Sequence, residues 1–247
     1  MTPHSQHLLD WTDYAAVLFD LDGVITPTAE VHERAWAAMF HAFLDGHGDP
    51  SVAPYTDADY FAYVDGKPRY DGVRDFLASR GIELPHGSPD DDPAAQTVCG
   101  LGNRKNDVFN EVLEREGVVP YPGSVALLDH LAELGMPLAI VSSSKNAPAV
   151  LAAAGLADRF QTVVDGKVAA ALGLPGKPAP DTFQHAARSV GAAEAGSVVV
   201  EDAVSGVKAG AAGDFAIVIG VDRGAGSEVL SEAGAELVVS DLAELVP

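Results

Sequence analysis

Asp20 and Asp22 follow directly on the apolar run AAVLF at residues 15–19. Spaced by two in extended chain, their side chains project to one side, so their ionisations interact and one of them can stay protonated. Such a pair can divide the labour of phosphoryl transfer. An ionised carboxylate attacks phosphorus and holds a cation, while a partly protonated neighbour moves the proton of a sugar or water oxygen. Gly23 lets the backbone turn away tightly after them. Two acids at a strand end are, by themselves, also an ordinary solvated surface. A second pair, Glu201 and Asp202, follows SVVV at residues 197–200 and precedes the small-residue turn AVSG. Four carboxylates converging on one edge repel unless a cation binds between them, and hard oxygen ligands select Mg²⁺. Asp20, Asp22, Glu201 and Asp202 are therefore the candidate metal ligands.

Ser142, Ser143 and Ser144 end the run PLAIV and precede a helical segment, offering hydroxyls and free helix-start amides to a phosphate. The same three serines would serve equally as a simple helix cap. Lys177, in the Pro-bounded turn GKPAPD, is a cation that could offset phosphate and carboxylate charge, although a lone lysine is ordinarily a surface residue.

The elements that must carry these groups alternate. Apolar runs at residues 15–19, 137–141, 197–200, 215–219 and 235–239 are continuous rather than alternating, as parallel strands covered on both faces require. Between them lie Ala- and Leu-rich helical segments at 124–134, 147–154, 181–190 and 205–212. Strand alternating with helix implies an α/β fold, a doubly wound, Rossmann-like parallel sheet. Carboxylates at the carboxyl ends of such strands stand where open α/β sheets bind ligands. Residues 31–116 break the alternation: VHERAWAAMFHAFL, DGVRDFLASRGI and NDVFNEVLERE are helical patterns with no apolar strand among them. The expected organisation is a core of residues 1–28 and 117–247 and an inserted helical cap of residues 29–116, joined at hinges near 26–30 and 117–122. HGSPDDDPAA reads as an exposed acidic loop.

Composition narrows the partners. Of 247 residues, 15 are Lys or Arg and 36 are Asp or Glu, a net charge of −21 that repels nucleic acid and anionic membranes alike. A phosphate site in such a chain needs its own placed cations. No apolar run approaches a membrane span, and the N-terminal MTPHSQHLLDWTDY lacks a basic stretch followed by an apolar one, so a cytoplasmic protein is expected. The single cysteine, Cys99, fits a reducing compartment. GLGNRK lacks the third glycine of a dinucleotide fingerprint, no Gly-Lys-Ser/Thr loop is present, and His41 and His47 have no partner at zinc spacing. A monomer is expected.

FDLDGV, IVSSSKN, GKPAPDTF and VVVEDAVSGVKAG, in that order, resemble the four motifs of the haloacid dehalogenase superfamily of aspartyl-phosphate enzymes. The resemblance implies Asp20 as nucleophile and Asp22 as acid/base. It implies Ser142 to Ser144, Lys145, Asn146 and Lys177 around phosphate, and Mg²⁺ held by the Asp20 carboxylate, the Asp22 carbonyl and Asp202, with Glu201 nearby. The helical insertion after the first motif is similar to the C1-capped branch. Within it, ITPTAEVHERAW, DGKPRYDGV and NRKND resemble the hinge and cap of the β-phosphoglucomutases, which implies roles for Thr28, His32, Arg69 and Lys105 in contacting Asp22 and a distal phosphate. Pro27 departs from that pattern, standing where an acidic residue is usual, and the segments around 68–82 and 86–95 are longer. The implied activity is interconversion of β-glucose 1-phosphate and glucose 6-phosphate through the 1,6-bisphosphate. A phosphatase acting on a sugar phosphate or a similar small phosphomonoester is the alternative, and a non-catalytic binding protein or the regulatory partner of a sugar phosphorylase is the third. On residue type alone, His32 beside Trp36 remains equally a packing residue, and Arg69 and Lys105 exposed charges.

Overall fold

The computed structural model describes residues 9–247; the first eight, part of the segment read above for a secretory signal, lie outside the described residues. A parallel sheet of six strands, in the order β3-β2-β1-β4-β5-β6, forms the core. Strand β1 (Ala16–Phe19) lies between β2 (Leu138–Val141) and β4 (Ser197–Glu201), with Phe19 in register with Ile140 and with Val200. That register brings the C-terminal ends of three strands level, so residues 20, 142 and 201–202 emerge at one edge. All four residues of β1 are fully buried because helices cover both faces of the sheet.

The insertion between β1 and β2 consists of α1 (Thr28–His47), the short α2 (Asp57–Asp59) running into a π-turn (Tyr60–Val64), α3 (Arg69–Ser79) and α4 (Val98–Glu116). It has its own apolar cluster, in which the Phe40 and Phe76 rings lie 3.9 Å apart at a tilt of 39° and both pack near Trp36 and Tyr55. Helix α4 begins eight residues before the pattern NDVFNEVLERE and runs through Gly100 and Gly102. Both are sites of close approach. A Cβ at 100 would lie 2.4 Å from the Ala95 carbonyl oxygen, and one at 102 would lie 2.8 Å from the Tyr70 ring. The acidic 86–95 loop is largely exposed, as expected, and is anchored to α4 by Asn103 Nδ2, which donates to the carbonyls of Pro89 and Asp91.

The return to the core runs through α5 (Pro122–Glu133), β2 and α6 (Ala147–Ala153), then β3 (Thr162–Val164), α7 (Gly166–Leu172) and α8 (Asp181–Ser189). It ends with β4, α9 (Val204–Ala211), β5 (Ile217–Val221), α10 (Ser227–Ala233) and β6 (Leu237–Val239). Three of these elements escape the sequence pattern. Edge strand β3 is three residues long and only one is buried, while α7 and α10 are two turns each, the first burying no residue and the second only Leu230. Strand β5 starts two residues later than FAIVI and runs through Gly220, which admits Ala235 and Leu230 against the strand.

Candidate active site

Asp20 follows β1, and its N–H donates to the Val200 carbonyl at 2.9 Å, which locks the first acidic loop to β4. Its carboxylate accepts from Lys177 Nζ, which also donates to Glu201 Oε1 and, at 2.9 Å, to the Val141 carbonyl. Lys177 is thus fully inside the protein, spanning β1, β2 and β4. Burial would lower its pKa, but the carboxylates of Asp20 and Glu201 on either side hold it above its ordinary value. Burial pushes Asp20 well up, against the pull of Lys177.

Asp20, Glu201 and Asp202 each offer an oxygen within 4.8 Å of the others. Asp202 is 8% exposed, and among the described residues no hydrogen-bond donor reaches its carboxylate. Burial, followed by the charges of Asp65 and Glu201, drives its pKa well up. Two glycines make room for these acids: a Cβ at Gly23, where φ is +93°, would lie 1.9 Å from Asp202 Oδ2, and one at Gly206 would lie 1.8 Å from Glu201 Oε1. A buried carboxylate without a donor, beside two more that share a single lysine, fits a hard divalent cation. Asp20 and Asp202 are free to ligate it, whereas Glu201 is committed to Lys177 and to the N–H of Ala203 at 3.0 Å.

The Asp22 carboxyl group points away from this cluster, toward the insertion. Its Oδ1 accepts from Thr28 Oγ1 and faces His32 Nε2 at 3.4 Å; its Oδ2 accepts from Ser142 Oγ at 3.3 Å. Thr28 and His32 lie one turn apart at the start of α1, which puts both on the face above Asp22. Lys105 of α4 donates to His32 Nδ1, so a neutral imidazole carries its proton on Nε2, toward Asp22. Burial, and next the Lys105 charge, lowers the His32 pKa and favours that neutral form. Burial acts to raise the Asp22 pKa, but His32, Thr28 and Lys105 outweigh it and hold the group at about 2. Asp22 thus stands apart from Asp20, its carboxyl bonded to Thr28 and Ser142 and facing His32. His32 also stacks on Phe109 at 4.1 Å, so its packing and polar roles coexist.

Arg69, at the start of α3, donates to Asn106 Oδ1 and at 3.4 Å to Asn103 Oδ1. Asn106 in turn accepts from Asn146 Nδ2 at 2.8 Å, joining α4 to the loop after β2. Lys145 lies 5.2 Å from the centroid of the Tyr70 ring. Ser144 accepts from the Asn146 N–H at 3.1 Å, and its own N–H donates to Ser142 Oγ at 3.1 Å, so the serine run caps its own loop as well as lining the cleft. Ser143 Oγ donates to the Gly66 carbonyl at 2.7 Å, and Ser205 Oγ donates to that of Asp65 at 2.8 Å, fastening the insertion loop onto the core.

A cleft of about 580 Å³ results. Asp20, Asp22 and Asp202 lie on one side of it and His32, Arg69 and Lys105 on the other, with Ser142 to Ser144 at its wall. Lys145 lies outside it, lining with Lys177 an adjoining chamber that shares Arg69, Ser142 and Ser143 with the cleft. Asn103, Asn106, Tyr60 and Asp65 are site residues that the motifs did not mark. Asp65, raised to about 7 chiefly by burial and then by the Glu201 charge, also lines the cleft. The DG step after the π-turn is the one signal in the sequence that could have located it.

Comparison with known proteins places the chain in a family. The family model described as haloacid dehalogenase-like hydrolase matches residues 14–214. The chain belongs to that family. It is 50% identical to a β-phosphoglucomutase of Mycobacterium bovis over 239 residues, covering 94% of this chain and 91% of the relative. It is also 33% identical to hexitol phosphatase A of Escherichia coli, over 92% and 91% of the two chains. Its fold matches the crystal structure of β-phosphoglucomutase from Clostridium difficile with a TM-score of 0.74, over 94% and 93% of the chains, at 23% identity. No helix among the described residues is long and apolar enough to cross a membrane.

Proposed function

We propose that this enzyme is a Mg²⁺-dependent β-phosphoglucomutase, converting β-glucose 1-phosphate to glucose 6-phosphate through the 1,6-bisphosphate, as a cytoplasmic monomer with residues 29–116 acting as its cap. The observation that carries the reading is the cationic wall opposite the carboxylates. Arg69 and Lys105 line the cleft in a chain of net charge −21, yet their partners are amides and an imidazole rather than carboxylates. Two such cations facing a nucleophile are arranged for a substrate that carries phosphate at both ends.

In the phosphorylated enzyme the sugar 6-hydroxyl attacks the phosphorus on Asp20. The O–P bond to Asp20 breaks, and ionised Asp22 takes the hydroxyl proton. The bisphosphate then turns end for end, its far phosphate gripped by Arg69 and Lys105, with Lys145 and Asn146 adjacent. Asp20 attacks the 1-phosphoryl group, and Asp22 returns its proton to the departing sugar oxygen. Lys177 neutralises Asp20 enough for an anion to approach it. The Asp20 and Asp202 carboxylates and the Asp22 carbonyl would hold Mg²⁺, which when bound would supply the remaining charge compensation.

Likeness to hexitol phosphatase A favours one alternative, hydrolysis of a sugar phosphate through the same Asp20 intermediate. The test is to incubate the protein and Mg²⁺ with β-glucose 1-phosphate and a trace of the 1,6-bisphosphate. Glucose 6-phosphate formed faster than inorganic phosphate supports the mutase. The reverse ratio assigns a phosphatase, and no turnover of either kind refutes both.

A further inference from the structure

The loop that carries Asp22 is gripped from outside the four motifs. Arg223, in the turn after β5, donates from Nε to the Gly23 carbonyl at 2.9 Å and from Nη1 to the Ser240 carbonyl at 3.0 Å. Its guanidinium lies 3.9 Å from the centroid of the Tyr121 ring. The turn that displays it is itself set by Asp222, whose Oδ1 accepts the N–H groups of Gly224 and Gly226 at 3.0 Å each. Tyr121 belongs to the chain leaving the insertion, and its N–H donates to the carbonyl of Ile25, in the chain entering it. Arg223 therefore stands where both crossings meet, bonded to the residue next to Asp22. Its nearest carboxylate, Asp241, is 3.9 Å away, so the planar fork is used mainly on backbone carbonyls and an aromatic face.

Gly23 has little freedom of its own to hold that geometry. Its φ is +93°, and its Cα faces Asp202 so closely that a side chain is excluded. An external donor on its carbonyl fixes the peptide that follows Asp22 without occupying the cleft.

We propose that Arg223 is a positioning residue for Asp22: it pins the Gly23 carbonyl to the strand end at Ser240 and to Tyr121, and so keeps the Asp22 carboxyl in line with the sugar oxygen whose proton it moves. This rests on the aspartyl-phosphate reading above. Loss of the grip should harm steps that need Asp22 more than steps that do not. Acetyl phosphate distinguishes them, because when Asp20 forms its bond to phosphorus the P–O bond to acetate breaks and acetate leaves as an anion needing no proton.

Arg223→Met should lower kcat for sugar-phosphate turnover about tenfold, the scale of a small misplacement of a catalytic group, with KM within twofold. First-turnover phosphorylation of Asp20 by acetyl phosphate should fall twofold at most. Arg223→Lys, which keeps one donor but loses the fork, should fall between wild type and Arg223→Met, and it serves alone if the methionine variant does not fold. Equal losses with both phosphoryl donors, a raised KM at unchanged kcat, or wild-type kcat in both variants would overturn the proposal. Absence of turnover by the wild type would instead count against the function proposed above.

Discussion

The two walls of the cleft treat charge in opposite ways. On the sheet edge, Lys177 is buried between Asp20 and Glu201, and no donor among the described residues reaches the Asp202 carboxylate, so this wall is short of positive charge. On the insertion, Arg69 and Lys105 have no carboxylate partner among the described residues and are held by Asn103, Asn106 and His32, so that wall is short of negative charge. Other cations of the insertion are paired with carboxylates, Lys67 at the cleft edge with Asp75 at 3.0 Å, Arg74 with Asp71 at 2.7 Å and Arg80 with Asp59 at 2.6 Å, while Arg104 donates to the Pro93 carbonyl. The contrast teaches that the two walls are complementary, each lacking what a metal–phosphate substrate complex would bring.

The largest effect should come from the carboxylate wall. Asp20→Asn replaces the nucleophile with an amide, and sugar-phosphate turnover should fall at least about a hundredfold. Chelation of divalent cations should do the same to the wild type. Near-normal rates in either case, measured by glucose 6-phosphate release, would remove the asymmetry on which the reading depends. Asp22→Asn should also cost kcat heavily, because the group moves a proton, while the Kd of a phosphate ligand changes by no more than a few-fold, about 1 kcal/mol. Isothermal titration with inorganic phosphate alongside steady-state kinetics separates the two quantities. Weakened binding at unchanged kcat would reassign Asp22.

A smaller effect is expected across the cleft. Arg69→Ala and Lys105→Ala should each cut mutase turnover about tenfold, since a desolvated charged contact to phosphate is lost. Hydrolysis of acetyl phosphate, which has no distal phosphate, should fall by much less. Equal losses with both substrates would mean that these cations support the fold or the Asp22 environment rather than a second phosphate.

The carboxylate wall was more legible in the sequence than the cationic one. Asp20, Ser142, Glu201 and Asp202 follow continuous apolar strands, and strand ends in a parallel sheet converge by construction. Lys177 was visible only through its motif, because nothing in a Pro-bounded turn announces that its lysine will be buried. Arg69, Asn103, Lys105 and Asn106 come from two helices whose relative placement depends on Gly102 admitting Tyr70, a packing event with no local signature. Asp65 sits in a turn, and its position depends on hydrogen bonds from Ser143 and Ser205, more than 70 residues away. Arg223 looks like any exposed turn arginine until Gly23 is found beneath it.

The smallest expected effect sharpens the comparison by leaving the chemistry alone. Arg80 on the insertion is paired where Arg69 and Lys105 are not: it bonds Asp59 at 2.6 Å, donates to the carbonyls of Ala53 and Pro54, and lies over the Phe76 ring at 4.6 Å. Asp59 also accepts from the Thr56 N–H and hydroxyl, closing a capping box at the start of α2. Burial opposes ionisation of Asp59, but Arg80 and Thr56 prevail and its pKa lies below the ordinary 3.8. A carboxyl depressed in the folded state binds its proton more readily when unfolded. Its stabilisation is therefore complete above that ordinary value and is lost as the pH falls through the lower folded value. Asp59→Asn should destabilise the protein at neutral pH by about 1–3 kcal/mol, the scale of hydrogen bonds to a charged group, which is a fall in Tm of roughly 2–10 °C for a chain of this size. The difference from wild type should narrow below pH 4, while kcat and KM at 25 °C stay within twofold. A pH-independent Tm difference would show that packing of the capping box, not the Arg80 charge, sets the stability; a change in kcat would show that paired and unpaired cations of the insertion are not separable by function.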